Sequence, residues 1–470
     1  MNRPFPDNFL FGAATAAFQI EGAAFEEGRT ASIWDAFARL PGAVINGDNG
    51  DVACDHYHGY PQDVAVMKEL GLQTYRFSTS WSRVRPDGGA VNTQGIDFYQ
   101  RLVDELLDAD IVPWLTLYHW DMPQTLEENG GWTHRDTVDR FLEYAGTVHD
   151  ALGDRVHYWT TLNEPWCSSF LSYTAGIHAP GRRDIGDGML AAHHLLLAHG
   201  QTVQELRARD ASLELGITLN LTVADPADPQ NEADRDAARR LDGQFNRWFL
   251  DPIFRGTYPD DIVQDIRTVD ADAVSRWERA VRASDLEAIS TPLDALGVNY
   301  YHGDFVSGSV PPNPLPDGQA PTARPTSSPF PAADGIHWVD RGLPVTDMGW
   351  EVQPEGLTRL LQRVSTEYAP AIPLYVTENG AAFDDVRDGD RVPDAERVRF
   401  LLDHLAAIHA AIEAGVDVRG YFYWSLLDNY EWAWGYEKRF GIVRVEYDTQ
   451  ERVVKDSGRE YARVIAARAL

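Results

Sequence analysis

Cysteine, positive charge and long apolar runs are what this sequence has least of. Its 470 residues include two cysteines, Cys54 and Cys167, and neither lies in a C-x-x-C pair or at a zinc-ligand spacing. Such sparse thiols are typical of a reducing compartment. The longest apolar stretch, Met189 to Ala198, is interrupted by two histidines and is too short to span a membrane. The first residues carry no apolar signal-peptide core. We therefore expect a soluble, cytoplasmic protein.

Positive charge is scarce, because 41 Lys and Arg residues stand against 72 Asp and Glu residues, a formal net charge of −31 at pH 7. Proteins that bind nucleic acid draw most of their affinity from a basic surface, and anionic membranes attract basic segments. The composition therefore predicts neither a nucleic-acid partner nor a membrane partner. The same acidity favours solubility and salt tolerance, but it carries no information about the fold.

Several motifs that signal a cofactor or another catalytic class are missing from the sequence. Neither a G-x-G-x-x-G turn nor a G-x-x-x-x-G-K-[ST] loop is present, which argues against a nucleotide site. No G-x-S-x-G elbow and no H-E-x-x-H motif occurs either. The close histidine pairs, His56 with His58 and His193 with His194, lie away from any predicted strand end. We predict no metal and no cofactor.

What the sequence does contain is an alternation of short apolar runs with amphipathic helical stretches. The predicted strands are Leu10–Thr15, Thr74–Trp81, Ile111–Trp120, Val156–Asn163, Leu213–Leu221, Ala295–Tyr301, Leu374–Thr377 and Val418–Ser425. The predicted helices are Tyr60–Glu69, Gly95–Ala109, Asp136–Leu152, Met189–Ala208, Asn231–Phe254, Pro354–Tyr368 and Pro393–Ala414. Alternating β and α elements indicate a parallel sheet covered by helices. Eight such units predict an α/β fold of the (β/α)8 TIM-barrel type, with residues 1–470 forming a single catalytic domain.

Two segments stand outside that alternation. Residues 23–60 are rich in Gly and Asp and are expected to be irregular. Between Val310 and Ala332 lie eight prolines, which are incompatible with regular structure. This stretch could be an interdomain linker, but later helices and strands are needed to complete the barrel. We therefore interpret residues 303–346 as a long βα loop on the catalytic face.

Two of the predicted strands end in a carboxylate. Glu378 follows the apolar run Leu374–Thr377, and Glu164 follows the strand that ends at Asn163. The carboxyl ends of all strands meet at one mouth of a barrel, where such residues are well placed for chemistry. Taken alone, the turn signal Asn379-Gly380 would make Glu378 an ordinary charged residue before a turn. The second strand built on the same plan favours a functional pair.

Polar and aromatic residues also stand at the ends of nearly all the remaining predicted strands. The polar residues are Gln19, Arg76, His119, Asn163, Asn299, Tyr301 and Glu431, and the aromatic ones are Trp120, Trp166, Trp350, Trp424, Trp432 and Trp434. Each has an ordinary structural interpretation, such as a core tryptophan, a buried histidine or an arginine in a structural ion pair. In combination they fit a sugar, because hydroxyl groups need hydrogen-bonding partners and the C–H faces of a pyranose need flat apolar walls.

Two motifs make the resemblance specific. Thr161-Leu-Asn163-Glu164-Pro and Val376-Thr-Glu378-Asn-Gly resemble the acid/base and nucleophile motifs of glycoside hydrolase family 1, the β-glucosidase family. The resemblance spans nearly the whole chain through Phe9–Ala16, Tyr75–Trp81, Leu117–Asp121, Asn299–Tyr301, Trp424–Trp432 and Lys455–Gly458. It implies that Glu378 is the nucleophile and Glu164 the acid/base.

The same resemblance implies roles for the surrounding residues. By it, Gln19, His119, Asn163, Glu431 and Trp432 bind the glycone sugar, Arg76, Asn299 and Tyr301 surround the nucleophile, Trp424 lies under the sugar and Trp350 lines the leaving-group side. Trp120 belongs to the motif Leu117–Asp121, and we expect it to contact substrate as well. Two positions depart from the common pattern, since Gln353 replaces an aromatic residue and Glu460 replaces a tryptophan.

The implied activity is that of a retaining β-glucosidase acting on cellobiose, short oligosaccharides or aryl and alkyl β-glucosides. If both strand ends face one pocket, we expect the carboxyl groups to lie about 5–5.5 Å apart, the separation that gives retention. Glu164 argues against the thioglucosidase branch, which has glutamine there, and the charge of Glu431 argues against a phosphorylated sugar. A 6-phospho-β-glycosidase, a transglycosylase and a sugar-binding protein without catalysis remain the alternatives. The sequence leaves open glucose against galactose or fucose, and the oligomeric state.

Overall fold

The computed structural model describes residues 3–311 and 321–470. Its strands are β1 (Leu10–Ala14), β2 (Thr74–Ser78), β3 (Val112–Tyr118), β4 (Tyr158–Asn163), β5 (Glu214–Asn220), β6 (Ala224–Pro226), β7 (Ala295–Asn299), β8 (Asp304–Ser307), β9 (His337–Trp338), β10 (Leu374–Asn379), β11 (Val418–Trp424), β12 (Val443–Glu446) and β13 (Glu451–Val454). Eight of them form a closed parallel barrel in the order β1-β11-β10-β7-β5-β4-β3-β2. The predicted (β/α)8 barrel is confirmed.

The barrel strands are buried along almost their whole length, which explains why the sequence marks them as short apolar runs. All six residues of β10 are buried, and so are all five residues of β2 and of β7. Helices on the outside and packed side chains on the inside leave no solvated face, so the strands show no alternation of buried and exposed residues, although Arg76 and several threonines are buried among the apolar side chains. The predicted strands match the observed ones to within three residues at each end.

The α-helices of the described residues surround the barrel, and half of them overlap the stretches that the 3.6-residue periodicity predicts. They are α1 (Ala17–Ile20), α2 (Ile33–Ala38), α3 (His56–Leu70), α4 (Trp81–Val84), α5 (Thr93–Asp108), α6 (Gln124–Glu128), α7 (Asp136–Leu152), α8 (Ile185–Arg209), α9 (Glu232–Asp242), α10 (Trp248–Arg255), α11 (Asp260–Val269), α12 (Ala271–Ala280), α13 (Ala283–Ile289), α14 (Pro354–Glu367), α15 (Ala395–Glu413) and α16 (Asp456–Ala467). Gly71 caps α3 at φ 70°, as its position predicts.

Three helical features differ from the expectation. The stretch predicted as one helix, Asn231–Phe254, is divided by a π-helical turn at Gly243–Arg247. Helices α11 to α13 fill the interval before β7 and, like α1, α4, α6 and α16, were not predicted. The segment 23–60, expected to be irregular, contains α2, a 3₁₀ turn at Ile45–Gly47 and the start of α3.

The proline-rich segment also carries structure that its composition did not predict. Strands β8 and β9 lie within residues 303–346 and pair with β6 in a small three-stranded sheet. Between residues 321 and 336 no strand or helix forms, and the prolines at 312, 314 and 316 lie outside the described residues. The segment contacts the barrel mouth, since the ring of Phe330 packs 5.2 Å from that of Trp166. The place of this segment on the catalytic face stays a prediction, and two short strands interrupt the expected loop.

One continuous hydrophobic core joins barrel and helices, and a small second cluster, Ala237, Ala238, Leu241, Val306 and Ile336, lies under the three-stranded sheet. In residues 3–311 and 321–470 no helix is long and apolar enough to cross a membrane. The assignment of residues 1–470 to a single domain stays a prediction.

Candidate active site

The predicted site residues gather at the carboxyl ends of the barrel strands. Arg76 lies in β2, Asn163 ends β4, Asn299 ends β7, Glu378 lies in β10 and Trp424 ends β11. Gln19, His119, Trp120, Glu164, Tyr301, Glu431 and Trp432 lie within a few residues of such an end, and Trp350 lies in the long segment between β7 and α14.

Three of the predicted site residues have left-handed backbone conformations, which side chains with a Cβ rarely adopt. Trp120 has φ 79°, Glu164 has φ 48° and Trp432 has φ 50°. Such strain persists only where the surrounding structure imposes it, and it clusters at functional sites.

Glu378 is the carboxylate with a cationic partner. Nη1 of Arg76 lies 2.6 Å from Oε1 of Glu378, and the hydroxyl of Tyr301 donates to Oε2 across 2.7 Å. Arg76 lies in β2, Glu378 in β10 and Tyr301 just after β7, and the side chains of Arg76 and Glu378 are buried. Burial raises the pKa of Glu378, while the charge of Arg76 and the Tyr301 hydrogen bond oppose that rise. These partners favour the ionised form of Glu378.

Glu164 is equally buried but has no cationic partner bonded to it. Nδ2 of Asn299 donates to its Oε1 across 2.7 Å, and Sγ of Cys167 lies 3.2 Å from its Oε2. Burial and the negative charge of Glu378 raise the pKa of Glu164 to about 8. At neutral pH the proton of the carboxyl pair therefore resides on Glu164.

Asn163 fixes the orientation of this group. Its Oδ1 accepts from Nη2 of Arg76 across 2.6 Å and from Nδ2 of Asn299 across 3.1 Å, so its own amide group must face His119. Nδ2 of Asn163 then donates to Nε2 of His119 across 3.0 Å, which places the proton of the neutral ring on Nδ1. Burial and the charge of Arg76 hold the pKa of His119 well below its usual range. Within the described residues Nδ1 has no acceptor, so it can donate to a ligand hydroxyl.

Gln19 is oriented in the same way from the opposite side. Its Nε2 donates to Oδ1 of Asn429, to the carbonyl of Tyr430 and, at 3.4 Å, to Oε2 of Glu431. Its Oε1 is buried and accepts from no described residue, which leaves it able to accept from a hydroxyl. Burial and the charges of Glu378 and Glu164 raise the pKa of Glu431 to about 8. Gln19, His119 and Glu431 together offer an acceptor, a donor and a carboxyl group, a set suited to sugar hydroxyls.

Aromatic rings enclose the polar groups. The rings of Trp120 and Trp432 lie 4.5 Å apart, and His119 stacks on Trp424 at 5.7 Å with an interplanar angle of 20°. Nε1 of Trp120 donates to the carbonyl of Asn163, which ties this wall to the carboxyl-bearing segment. Flat apolar faces beside convergent hydrogen-bonding groups are what a pyranose ring requires.

Comparison with known proteins agrees with this geometry. Residues 1–470 match the family described as glycosyl hydrolase family 1. The chain belongs to this family. It is 48% identical to the thermostable β-glucosidase B of Thermobispora bispora, over 99% of this chain and 91% of that protein, and 46% identical to the bifunctional β-D-glucosidase/β-D-fucosidase of Bifidobacterium breve, over 99% of each. The crystal structure of a psychrophilic β-glucosidase from Micrococcus antarcticus superposes with a TM-score of 0.95 at 54% identity, covering 99% of this chain and 98% of that one.

Trp350, Trp166 and Trp434, the other three tryptophans of the predicted set, have different packing partners. Trp350 is half-buried and packs against Tyr301 at 5.5 Å, so it borders the nucleophile side. Trp166 packs at 4.5 Å on Phe245 beneath the small sheet. Trp434 is half-buried, with Nζ of Lys438 4.8 Å from its ring centre.

Sequence reasoning missed several residues that shape the family 1 site. Asn429 orients Gln19, Cys167 contacts Glu164, and the rings of Phe18, Trp34 and His178 pack behind Trp432. Cys167 and Asn429 each lie within three positions of a predicted site residue, and that proximity was the available signal. Trp34 lies in the six-residue helix α2, within the stretch expected to be irregular, and His178 lies in an irregular segment, so no periodicity in the sequence shows which way either side chain faces.

The histidine pairs serve the framework. His56 hydrogen bonds to Asp63 across 2.7 Å, and His193 contacts the hydroxyl of Tyr258 and a carboxylate oxygen of Asp285. Across the described ranges, 3–311 and 321–470, no three His, Cys, Asp or Glu side chains form a group that could hold a metal ion.

Proposed function

We propose that this chain is a retaining β-glucosidase that releases terminal, non-reducing β-D-glucosyl residues from cellobiose, short oligosaccharides and aryl or alkyl β-glucosides. The observation that carries the proposal is the contrast between two buried carboxyl groups. Glu378 is bonded to the Arg76 guanidinium and the Tyr301 hydroxyl, whereas Glu164 is bonded to the neutral groups of Asn299 and Cys167. One carboxylate that is ionised beside one that is protonated is the arrangement used for double displacement.

In the first step the ionised Glu378 attacks C1 of the sugar, and Glu164 gives its proton to the departing glycosidic oxygen. The C1–O bond to the leaving group breaks as the bond from C1 to the Glu378 oxygen forms. Arg76 and Tyr301 hold the attacking carboxylate in position. We expect a carboxyl separation of about 5–5.5 Å, because the first step needs direct contact of Glu378 with C1.

In the second step Glu164 works as a base. Formation of the glycosyl ester consumes the charge of Glu378, which removes one of the causes that raise the pKa of Glu164. The carboxylate of Glu164 then takes a proton from water, and the resulting hydroxide attacks C1 and displaces Glu378. The sugar leaves with the configuration at C1 that it had in the substrate.

Gln19, His119, Asn163, Trp120, Trp424, Glu431 and Trp432 are proposed to bind the glycone, and Trp350 the leaving-group side. Support comes from the unpaired Oε1 of Gln19 and Nδ1 of His119, both buried within the described part of the chain. The relatives from Thermobispora bispora and Micrococcus antarcticus carry β-glucosidase in their names, and the one from Bifidobacterium breve is named for β-D-fucosides as well. A cytoplasmic location remains a prediction.

The test is chemical rescue of two variants. Glu378→Ala should lose essentially all hydrolysis of 4-nitrophenyl β-D-glucoside, and azide should restore turnover with the α-glucosyl azide as product. Glu164→Ala should keep most of its first-step rate on 2,4-dinitrophenyl β-D-glucoside, whose leaving group needs no proton, and lose several orders of magnitude on cellobiose. Rescue of Glu378→Ala as the β-azide, or near-normal activity of either variant on cellobiose, would refute the assignment.

A 6-phospho-β-glycosidase is the strongest rival, and Glu431 argues against it. Its carboxyl group hydrogen bonds to Gln19 within the proposed glycone site, where a phosphate group would need a cationic partner and would be repelled by the ionised form of Glu431. Parallel assays with 4-nitrophenyl β-D-glucoside and its 6-phosphate separate the two activities, and product analysis with cellobiose reveals any transglycosylation. Adding the galactoside and the fucoside to that panel sets the glycone preference.

A further inference from the structure

Cys167 is placed against the proposed acid/base by a tight local turn. Its backbone N–H donates to the carbonyl of Glu164 across 2.9 Å, and the chain continues from Cys167 as a π-helix to Thr174. This turn brings Sγ to 3.2 Å from Oε2 of Glu164, and both side chains are buried. π-Helical turns are rare and occur frequently at functional sites.

The thiol is also oriented from its other side. Nδ2 of Asn220, the last residue of β5, lies 3.7 Å from Sγ of Cys167, within reach of a weak N–H···S hydrogen bond. With its sulfur accepting from Asn220, the S–H group points to Glu164. Burial and the charge of Glu164 raise the pKa of Cys167 well above its usual range, so the sulfur keeps its proton and acts as a donor.

The two oxygens of Glu164 therefore have different partners. Oε1 accepts from the amide of Asn299 across 2.7 Å, and Oε2 faces the thiol. A donor that faces a carboxylate stabilises its ionised form and opposes the effect of burial. A thiol is a weaker donor than a hydroxyl, so it provides this stabilisation in a small amount.

We propose that Cys167 is a positioning residue for Glu164, whose S–H group orients the carboxyl group and sets the pH at which Glu164 loses its catalytic proton. The inference rests on the proposed function, in which Glu164 must be protonated to release the leaving group. Cys167 itself forms no bond to substrate and is not consumed.

The other groups that act on Glu164 come from separate strands. Glu378 faces it from β10, Arg76 from β2, and Tyr301 and Glu431 from the segments that follow β7 and β11. Burial and the charge of Glu378 raise the pKa of Glu164, whereas Arg76 lowers it. None of these side chains forms a hydrogen bond to Cys167, so a substitution at Cys167 changes one influence and leaves the others in place.

The experiment compares Cys167→Ser and Cys167→Val by the pH dependence of kcat/KM on cellobiose. Serine is a stronger donor, so the basic limb of the profile should move to lower pH. Valine has similar bulk and no donor, so the basic limb should move to higher pH, with the two variants separated by about half a pH unit or more. If the extra methyl group of valine prevents folding, Cys167→Ala replaces it, and its basic limb should also move to higher pH.

Leaving-group dependence separates a positioning role from a packing role. On 2,4-dinitrophenyl β-D-glucoside, which needs no proton from Glu164, the valine variant should keep its first-step kcat/KM within about twofold of the wild type. On cellobiose it should lose several-fold more, because the orientation of Glu164 matters there. A general packing defect would reduce both substrates alike and would leave the basic limb unmoved.

Cys54→Ser is the matched control, because Cys54 is equally buried but donates to the carbonyl of Asp428. Its basic limb should coincide with that of the wild type. Basic limbs of Cys167→Ser and Cys167→Val that coincide with the wild type, or that move in the same direction, would overturn the inference. A wild-type enzyme with no turnover of β-glucosides would instead refute the proposed function, so the two failures are distinguishable.

Discussion

At the scale of single residues, two identical carboxyl groups acquire opposite properties from their neighbours. Glu378 and Glu164 are both buried, at 3% and 5% exposure, so burial alone cannot distinguish the proposed nucleophile from the proposed acid. The difference is the guanidinium of Arg76, which contacts Glu378 and leaves Glu164 to neutral donors. Moving that single charge would change the assignment of both roles.

The acid limb of the pH profile tests this argument. Because Glu378, as the proposed nucleophile, must be ionised and Arg76 lowers its pKa, Arg76→Met should move the acid limb of kcat/KM to higher pH by about 1–3 units. Tyr301→Phe removes one hydrogen bond and should move it in the same direction by a smaller amount. The measurement is kcat/KM for 4-nitrophenyl β-D-glucoside from pH 4 to pH 9.

Tyr300→Phe is the neighbouring control. The hydroxyl of Tyr300 is buried but donates to the carbonyl of Gln353, away from Glu378, so its acid limb should stay in place. An acid limb that moves to lower pH in Arg76→Met would show that Glu378 is not the group that titrates there.

At the scale of elements, β10 and β11 meet so closely beyond Glu378 that only glycine fits. A Cβ atom added at Gly380 would lie 1.6 Å from the carbonyl oxygen of Trp424. Gly380 is therefore required by the close approach of two backbones and not by a positive φ, which it does not have. This explains why the Asn-Gly pair leads into a βα loop and does not form a hairpin.

Gly380→Ala should therefore destabilise the protein and misplace its catalytic groups. The ends of β10 and β11 must separate, which should cost about 1–3 kcal/mol or more. A displacement of about 1 Å at Glu378 or Trp424 should lower kcat/KM by about 100-fold. Thermal unfolding and steady-state kinetics measure both effects.

Gly59→Ala in helix α3 is the comparison, since its added Cβ meets only the Arg452 guanidinium at 3.6 Å. It should retain wild-type kinetics and lose no stability, because alanine is favoured over glycine inside a helix by about 0.5–1 kcal/mol. A Gly380→Ala variant with the same behaviour would contradict the close approach of the two strands.

A buried ion network holds the segment that carries Glu431 and Trp432. Nζ of Lys455 contacts Asp385 and lies 2.7 Å from Oδ1 of Asp428, and Arg439 contacts the other oxygen of Asp428. Asp428 stands three positions before Glu431, so this network joins the end of β11 to the start of α16. Without Lys455 the network would carry an uncompensated buried negative charge, although Asp385 would keep Arg397 and Asp428 would keep Arg439.

We expect Lys455→Met to lower the free energy of unfolding by about 3–5 kcal/mol, because Asp385 and Asp428 lose a shared cation. The thermal midpoint should fall, and KM for glucosides should rise as Glu431 and Trp432 lose their support. Lys68→Met on the exposed face of α3 makes the same chemical change and should leave both quantities close to wild type. Equal midpoints for the two variants would show that the network contributes nothing net.

The burial of an element decides whether it can be predicted from the sequence. β4 and β10 are buried along nearly their whole length, so their existence and the carboxylate at the carboxyl end of each could be predicted. β8 and β9 are four and two residues long, half-buried, and held in part by hydrogen bonds from Thr222 and Trp338 to Asp304. Partners so distant in sequence leave no periodicity to read, and the three-stranded sheet could not be predicted.

At the scale of the whole molecule, closure of the barrel assembles the site. Glu164 and Glu378 are separated by 214 positions (378 − 164), yet Asn299 links their strands by pairing with Glu378 in register and donating to Glu164. Recognition of eight units was sufficient to predict this convergence. The tautomer of His119, the direction of the Asn163 amide and the contact of Cys167 depend on side-chain geometry, which neither spacing nor composition encodes.

The net charge is a second property of the whole molecule, and it predicts a response to salt. Even if every one of the 41 Lys and Arg residues were paired, 31 of the 72 acidic residues would remain without a cation. Their mutual repulsion destabilises the compact state and is screened as the Debye length falls from about 30 Å at 0.01 M to about 8 Å at 0.15 M salt. Exposed ion pairs also weaken with salt, but each contributes about 0–1 kcal/mol or less.

We therefore expect the thermal midpoint to rise between 0.01 M and 0.3 M NaCl at pH 7, where screening dominates over salt-specific effects. The rise should level off above about 0.15 M salt, where screening is nearly complete, and KCl at equal ionic strength should give the same curve. Sucrose at equal osmolality should not give this plateau. Differential scanning calorimetry at a fixed scan rate measures the midpoint. A midpoint that falls with salt would mean that the exposed arginine–carboxylate pairs outweigh the repulsion among the unpaired acidic residues.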